Sequence, residues 1–284
     1  MQLGIRLHDV NVSLPVSEQS LEKRLEKARE EGLRCYHLAL QKCIASVTFD
    51  DAALNEGLGA YLRRLTREYG LDLAVLGCYL NLAHPDPEKI REFQSRYYGH
   101  LRIAAISGAG MVGTETGAPN AAYKLDENTH GKEALLTFIR NLEPVVDAAE
   151  SFGVSMAIEP VWNHIVYSAD RALEVIRAIQ SHNLRIIFDP VNLLGMENVD
   201  QRDEVIGDAM DKLADHIAMV HLKDFVRRDG KLVSVAAGTG EMDYREILRF
   251  MKVRKPYIHA TLENTSNENA VNSRCLIQRI YDEI

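Results

Sequence analysis

The feature that most constrains the fold of this chain is a regular alternation of short apolar runs with longer amphipathic stretches. Several of the short runs are rich in Val and Ile, which is typical of buried parallel strands. No linker, low-complexity tract or shift in composition marks a domain boundary along the 284 residues. We predict eight strands, at residues 3–7, 35–40, 73–80, 101–106, 154–161, 184–194, 217–222 and 257–262.

The stretches between the predicted strands have the apolar spacing of helices. Residues 132–152, for example, place Leu135 and Phe138 on one face, and Gly153 follows as a stop signal. Eight strands that each precede a helix predict a single (β/α)8 TIM barrel over residues 1–284. The competing fold, an open doubly wound sheet, usually has a Gly-rich turn after its first strand, and this chain has none there.

One segment breaks the alternation. Residues 107–128 follow the predicted fourth strand, are rich in glycine and are too long for a simple turn between a strand and a helix. In a TIM barrel such a loop covers the catalytic face, but a surface excursion has the same composition. Both interpretations stay open from the sequence.

Charge and cysteine content exclude several classes of partner. The chain has 33 Lys and Arg against 41 Asp and Glu, a formal net charge of −8. Nucleic acids and anionic membranes attract clustered Lys and Arg, so this balance argues against both. There is no apolar leader and no run of the roughly 18–20 apolar residues that a membrane span needs. The four cysteines are scattered without a CxxC pair, and we expect a cytoplasmic protein.

Four strong metal ligands stand at the ends of the last four predicted strands. They are Glu159, Asp189, His221 and Glu263, separated by 30, 32 and 42 residues. Each shares a face of its strand with the small or apolar residue two positions earlier, because side chains alternate along a strand. We therefore expect all four side chains to point into a closed barrel. Three crowded carboxylates repel one another, and a divalent cation removes that repulsion. Three oxygens and one imidazole suit Mn²⁺, Mg²⁺ or Co²⁺.

Five segments of the chain carry a resemblance to a known family. They are AIEP, FDPVN, VHLKDFVR and TLEN at the last four strands, and LNLAHPDPEKIRE after the third. With these segments the sequence resembles the xylose isomerase-like TIM barrels, which include sugar phosphate isomerases and epimerases and are related to endonuclease IV. The resemblance spans nearly the whole chain. It implies one bound divalent ion, most often Mn²⁺, and no organic cofactor.

The resemblance also implies roles for single residues. Glu159 and Glu263 would be metal ligands and also the acid–base pair of the reaction. The family pattern H-x-x-D-x-x-R is present as His221, Asp224 and Arg227, and its arginine typically contacts substrate oxygens. In such a site one carboxylate removes a proton beside a carbonyl and another returns it, through a metal-bound enediolate.

Two positions depart from the family pattern. Asn192 stands three residues after the strand-six aspartate, where many epimerases have a histidine. An asparagine still hydrogen-bonds a substrate hydroxyl but does not titrate near pH 7. Ile165 stands where some free-sugar epimerases have a substrate-binding glutamate. Both departures weigh against a plain ketose 3-epimerase.

Further residues are candidates for contact with the substrate. His8 and His84 follow the first and third predicted strands, Glu115 lies in the irregular loop, and Asn163 follows the strand-five glutamate closely. Lys223 follows the strand-seven histidine, and we expect it to point away from the barrel axis.

The leading hypothesis is a metal-dependent isomerase or epimerase of a small sugar or sugar phosphate. A lyase on the same metal site, which dehydrates a keto-inositol or a 3-keto cyclic acid, would use the same residues. A third hypothesis is a non-catalytic sugar-binding or partner subunit, although such a subunit need not keep two facing glutamates. We expect no nucleic-acid and no membrane partner, and a homo-oligomer.

Overall fold

The structure is a computed structural model that describes residues 1–49 and 51–284. Its barrel strands are β1 (Gln2–Arg6), β2 (Cys35–Ala39), β3 (Asp72–Gly77), β4 (Met111–Glu115), β5 (Ser155–Glu159), β6 (Leu184–Phe188), β7 (Ile217–Leu222) and β10 (His259–Leu262). All eight are parallel and close in the order β1-β10-β7-β6-β5-β4-β3-β2. The predicted (β/α)8 TIM barrel is therefore confirmed.

Helices surround the barrel on the outside. Within the described residues they are α1 (Glu18–Glu30), α2 (Leu40–Cys43), α3 (Ala45–Phe49), α4 (Glu56–Tyr69), α5 (Pro87–Ser107), α6 (Lys132–Phe152), α7 (Ala169–Ile179), α8 (Arg202–Leu213), α9 (Arg245–Arg254) and α10 (Ala270–Glu283). The side chain of Ser17 caps α1 in a reciprocal pair with Ser20. Gly153 ends α6 in the left-handed conformation, as the sequence predicts.

The prediction of the fourth strand was wrong. Residues 101–106 belong to α5, and the fourth strand is β4, which lies inside the segment that the sequence presents as an irregular loop. A short apolar run fits a buried helix as well as a buried strand, and Leu101, Ile103 and Ala104 are buried on α5. Asp86 caps this helix, which continues for 21 residues to Gly108. The irregular loop therefore begins only after Glu115.

The barrel interior confirms the parity argument. Ala157, Ile187 and Met219 pack with one another in a small buried cluster inside the barrel. Each stands two residues before a candidate ligand on its own strand. Because side chains alternate along a strand, the ligands point inward one layer above this cluster, at the carboxyl ends of the strands. Catalytic groups of TIM barrels lie at this end.

An extra hairpin follows β7. Its strands β8 (Asp224–Arg228) and β9 (Lys231–Val235) are antiparallel and form a separate two-stranded sheet before α9. Ser234 on β9 lines the cavity at the carboxyl end of the barrel, so the hairpin forms part of one wall. Among the described residues, no helix has the length and hydrophobicity that a bilayer crossing requires.

Candidate active site and metal centre

The four predicted ligands meet at the carboxyl end of the barrel. His221 Nδ1 lies 3.4 Å from Glu159 Oε2, 3.4 Å from Glu263 Oε1 and 3.8 Å from Asp189 Oδ2. All four side chains are buried, with at most 4% of each residue exposed. The structure thus brings together four residues that span more than one hundred positions of the sequence.

Each carboxylate is held by one oxygen and presents the other to the histidine. Glu159 Oε1 accepts a hydrogen bond from Asn192 Nδ2 at 2.6 Å. Asp189 Oδ1 accepts the backbone N–H groups of Val191 and Asn192 at 3.0 and 3.1 Å. Glu263 Oε2 pairs with the Arg6 guanidinium at 3.0 Å. The three remaining oxygens face His221 Nδ1, so the carboxylates are oriented toward one common point.

This donor set fits a divalent cation. Neither ring nitrogen of His221 makes a hydrogen bond within the part of the chain that the structure describes, although both are buried. Such unpaired buried atoms are costly unless a further group satisfies them. Ligands around a cation at about 2.1 Å lie about 3.0–3.4 Å apart, which is close to the separations observed here. Glu159, Asp189 and His221 form one possible ligand group, and His37, His221 and Glu263 form another.

The crowded charges shift the pKa values of the cluster. Burial lowers the pKa of His221, but Glu263 and Glu159 outweigh it and raise the pKa to about 9. Burial raises the pKa of Asp189, against the opposing effect of Lys223. For Glu263, burial is outweighed by His221, Lys223 and Arg6, which hold its pKa below the usual range. The carboxylates therefore favour the protonated form of His221, and the surrounding cations favour the ionised form of Glu263.

Lys223 lies in the site, and the prediction that it points away from the barrel axis was wrong. Its ammonium nitrogen is 2.7 Å from Asp189 Oδ2 and 3.6 Å from Glu263 Oε2, and the side chain is buried. Lys223 directly follows β7 and stands two positions after His221. Side chains two positions apart on a strand share a face, so alternation itself places Lys223 inward beside His221.

His37 and Tyr79 form a second layer that the sequence did not indicate. The imidazole of His37 on β2 stacks on His221 with a centroid distance of 5.3 Å and an angle of 12°. Tyr79 OH lies 2.8 Å from His37 Nε2. Burial, and next His221, lower the pKa of His37, so it stacks as a neutral ring. A side chain at Gly77 would collide with both, which explains the glycine there.

A cavity of about 600 Å³ opens above the cluster. The predicted substrate residues His8, Glu115, Asn163 and Asn192 line it together with the ligand glutamates. Burial and the neighbouring Glu159 raise the pKa of Glu115 to about 7, because β4 and β5 place these two residues side by side. Burial lowers the pKa of His8 to about 3, and Lys42 adds to this effect.

His84 does not line this cavity, so its predicted contact with the substrate is not supported by its position. Its Nδ1 accepts the backbone N–H of Asp86 at 3.0 Å, and its ring packs edge-on against Phe93. His84 lies seven residues beyond the end of β3, where the chain has already left the rim of the barrel. It stabilises the turn that leads into α5.

The structure also places Asp224 and Arg227 outside the cavity. The buried Asp224 carboxylate accepts backbone N–H groups of its own loop, including that of Gly238 at 3.1 Å. Arg227 points to the surface and pairs with Asp200 at 2.7 Å and Glu241 at 3.2 Å. Two acidic partners on neighbouring loops hold the guanidinium away from the barrel axis. Of the H-x-x-D-x-x-R pattern, Asp224 and Arg227 therefore stabilise the β8–β9 hairpin and the loop after it, whereas His221 lies in the ligand cluster.

Three solved structures with 13–19% sequence identity share the fold. A D-tagatose 3-epimerase-like protein has a TM-score of 0.77 at 19% identity, over 100% of this chain and 98% of the other. The probable 3-DHS dehydratase AsbF of Bacillus anthracis has a TM-score of 0.73 at 13% identity, over 98% of this chain and 99% of the other. The IOLI protein with a binding zinc atom has a TM-score of 0.72 at 16% identity, over 100% of this chain and 99% of the other.

Sequence comparisons give the family directly. No curated protein sequence matches the chain. The sequence profile described as xylose isomerase-like TIM barrel matches residues 25–273, which is most of the chain. The profile and the closed barrel agree, and this chain belongs to the xylose isomerase-like TIM barrel family.

Proposed function

We propose that this chain is a divalent-metal-dependent isomerase or epimerase of a small sugar or sugar phosphate. The observation that carries the proposal is the orientation of Glu159 and Glu263. Each has one oxygen held by the protein and the other at 3.4 Å from the same nitrogen of His221. A substrate above this point would lie within reach of two carboxylates that approach from different strands.

Glu159 and Glu263 are the proposed acid–base pair. One carboxylate takes the proton from the carbon beside the substrate carbonyl, which leaves an enediolate, and becomes a carboxylic acid. The other glutamate starts as a carboxylic acid and gives its proton to the same carbon on the opposite face, which gives epimerisation and leaves the two glutamates with exchanged protonation states. If the proton goes instead to the neighbouring carbon, while a proton moves from the hydroxyl oxygen to the carbonyl oxygen, the result is isomerisation. Arg6 and Asn192 orient the two carboxylates by holding their outer oxygens. General acid–base steps of this kind contribute about 10²–10⁴-fold each.

Glu159, Asp189, His221 and Glu263 are the proposed ligands of one divalent ion. We propose Mn²⁺, with Mg²⁺ or Co²⁺ as alternatives, because three oxygens and one imidazole suit these ions better than thiolate-seeking metals. When bound, the ion supplies Lewis-acid polarisation of a substrate carbonyl.

The cavity supports a polar substrate of moderate size. Its volume of about 600 Å³ is within the range of small-molecule sites, roughly 300–1,000 Å³. Hydrogen-bonding side chains line the space above the ligands, among them Glu115 at the end of β4 and Asn163 and His164 on the loop after β5. Such groups recognise the hydroxyls of a sugar.

A dehydratase is the second candidate, and Glu115 is the observation that favours it. This carboxyl lines the cavity next to Glu159 on the adjacent strand, and burial and Glu159 raise its pKa, which favours its protonated form. A protonated Glu115 beside Glu159 can donate to a β-hydroxyl that leaves as water after proton removal. A keto-inositol or a 3-keto cyclic acid would be the substrate of such a reaction.

The test is turnover of a panel of ketoses and ketose phosphates in D₂O with Mn²⁺ present. We expect deuterium at the carbon beside the carbonyl of the product, and loss of water with formation of a conjugated ketone would identify the dehydratase instead. Glu263→Gln is expected to lower kcat by about 10²–10⁴-fold. Glu143→Gln on the exposed face of α6 is the matched control. Wild-type turnover in Glu263→Gln would remove Glu263 from the mechanism.

If no substrate in the panels exchanges or eliminates, but sugars still bind, the chain is a binding subunit. A single domain over residues 1–284, a homo-oligomer and a cytoplasmic location also remain predictions. Light scattering coupled to size exclusion tests the oligomer.

A further inference from the structure

The Lys223 ammonium occupies a carboxylate oxygen that a metal ion would need, and the proposed function gives this lysine no role. Asp189 has one oxygen free for a cation, because Oδ1 already accepts two backbone N–H groups. That free oxygen, Oδ2, faces His221 Nδ1 at 3.8 Å and is also the atom that the Lys223 ammonium contacts at 2.7 Å. A divalent cation and the ammonium therefore need the same atom.

The position of Lys223 is fixed by its backbone. Tyr244 OH donates to the carbonyl oxygen of Lys223 at 2.9 Å, and the next residue, Asp224, is tied into its loop by three backbone N–H groups. The side chain is almost fully buried and also lines the cavity above the ligands. The backbone therefore directs this ammonium to the border between the carboxylates and the substrate space.

Two cations at this border repel each other strongly. A divalent ion bound to Asp189 Oδ2 would lie within a few ångströms of the ammonium, in an interior where charges are weakly screened. The open cavity that Lys223 already lines is a direction in which the ammonium would stay solvated. An anionic or strongly polar substrate oxygen would meet it there.

We propose that Lys223 is an exchangeable counter-ion of the metal centre. In the metal-free protein its ammonium holds the Asp189 and Glu263 carboxylates in place, and on cation binding it gives up Asp189 Oδ2 and turns toward the substrate cavity. This inference rests on the proposed metal site. Lys223 is in this sense a positioning residue, which keeps the ligand set formed before the metal arrives.

The test is calorimetric titration of the metal-free protein with Mn²⁺. Lys223→Met removes the competing charge, and we expect its Kd for Mn²⁺ to be at least fivefold lower than that of the wild type. Lys223→Arg keeps the charge, and we expect its Kd to be higher than that of Lys223→Met. Lys42→Met is the matched control, because Lys42 lines the same cavity but contacts His8 and none of the four ligands. We expect its Kd to stay within about twofold of wild type.

The sign of the effect separates this role from a merely structural one. If Lys223 only supported the ligands, Lys223→Met would bind Mn²⁺ more weakly, and that result would overturn the proposal, as would an unchanged Kd. Absence of Mn²⁺ binding by the wild type would instead refute the proposed metal centre and this inference with it.

A second measurement uses the wild-type protein and does not depend on the folding of a variant. Acetic anhydride labels accessible lysine amines, and mass spectrometry quantifies the modification of each lysine. We expect acetylation of Lys223 to increase at least twofold when Mn²⁺ is added, while exposed Lys212 on α8 stays unchanged. Equal or lower labelling of Lys223 with Mn²⁺ would contradict the release of its ammonium.

Discussion

Asn192 provides a direct test of how the site orients its acid–base carboxylates. Its Nδ2 donates to Glu159 Oε1 over 2.6 Å and leaves Oε2 to face His221. Leucine is close in size to asparagine but donates no hydrogen bond, so Asn192→Leu frees Glu159 without opening a large cavity. A hydrogen bond to a charged group contributes about 1.5–3 kcal/mol.

If this contribution serves to orient Glu159 in the transition state, kcat/KM falls by about 10- to 150-fold, since each 1.36 kcal/mol is a factor of ten. The loss is expected mainly in kcat, because the bond acts on a catalytic group. Initial rates of deuterium exchange into the product measure it, and thermal unfolding by circular dichroism checks the fold. Asn192→His restores a donor and is expected to recover part of the rate. A folded Asn192→Leu variant with more than half of the wild-type kcat would refute the reasoning.

Three further predictions concern the metal, acid and the second layer. Mn²⁺ at one hundred times its Kd is expected to stabilise the protein by about 2.7 kcal/mol, which raises Tm by about 4 °C for a chain of 284 residues. We expect EDTA to reverse this shift in Tm and Asp189→Asn to abolish most of it. Burial lowers the pKa of His100 to about 4. The imidazole is therefore protonated at higher pH in the unfolded chain than in the folded protein. Because protonation below about pH 6.5 favours the unfolded chain, about 3 kcal/mol of stability is lost between pH 6.5 and 4. Urea unfolding with EDTA should show a flatter pH dependence in His100→Gln, and an equal slope would contradict this. Gly77→Ala places a methyl group 2.7 Å from His37 Nε2 and is expected to cost about 1–3 kcal/mol in urea unfolding, whereas Gly207→Ala, with open space around it, is expected to be neutral or stabilising.

The sequence determined the barrel and its four candidate ligands because both depend on local periodicity. Strand side chains alternate with a period of two, and parallel strands of a closed barrel end at one rim. Glu159, Asp189 and His221 could therefore be placed together from parity and strand order alone. Residues 101–106 were assigned to a strand because a short apolar run has no periodicity of its own that distinguishes strand from helix.

Only the tertiary structure decided what surrounds these ligands. Arg6 reaches Glu263 across 257 positions of the chain, and no sequence spacing encodes that contact. Lys223 shares the inward parity of His221, but its ion pair with Asp189 depends on how β6 and β7 meet at the rim of the barrel. Arg227 leaves it because Asp200 and Glu241, on two other loops, compete for its guanidinium. Such charge pairings depend on three-dimensional proximity, which the fold sets and a local pattern does not contain.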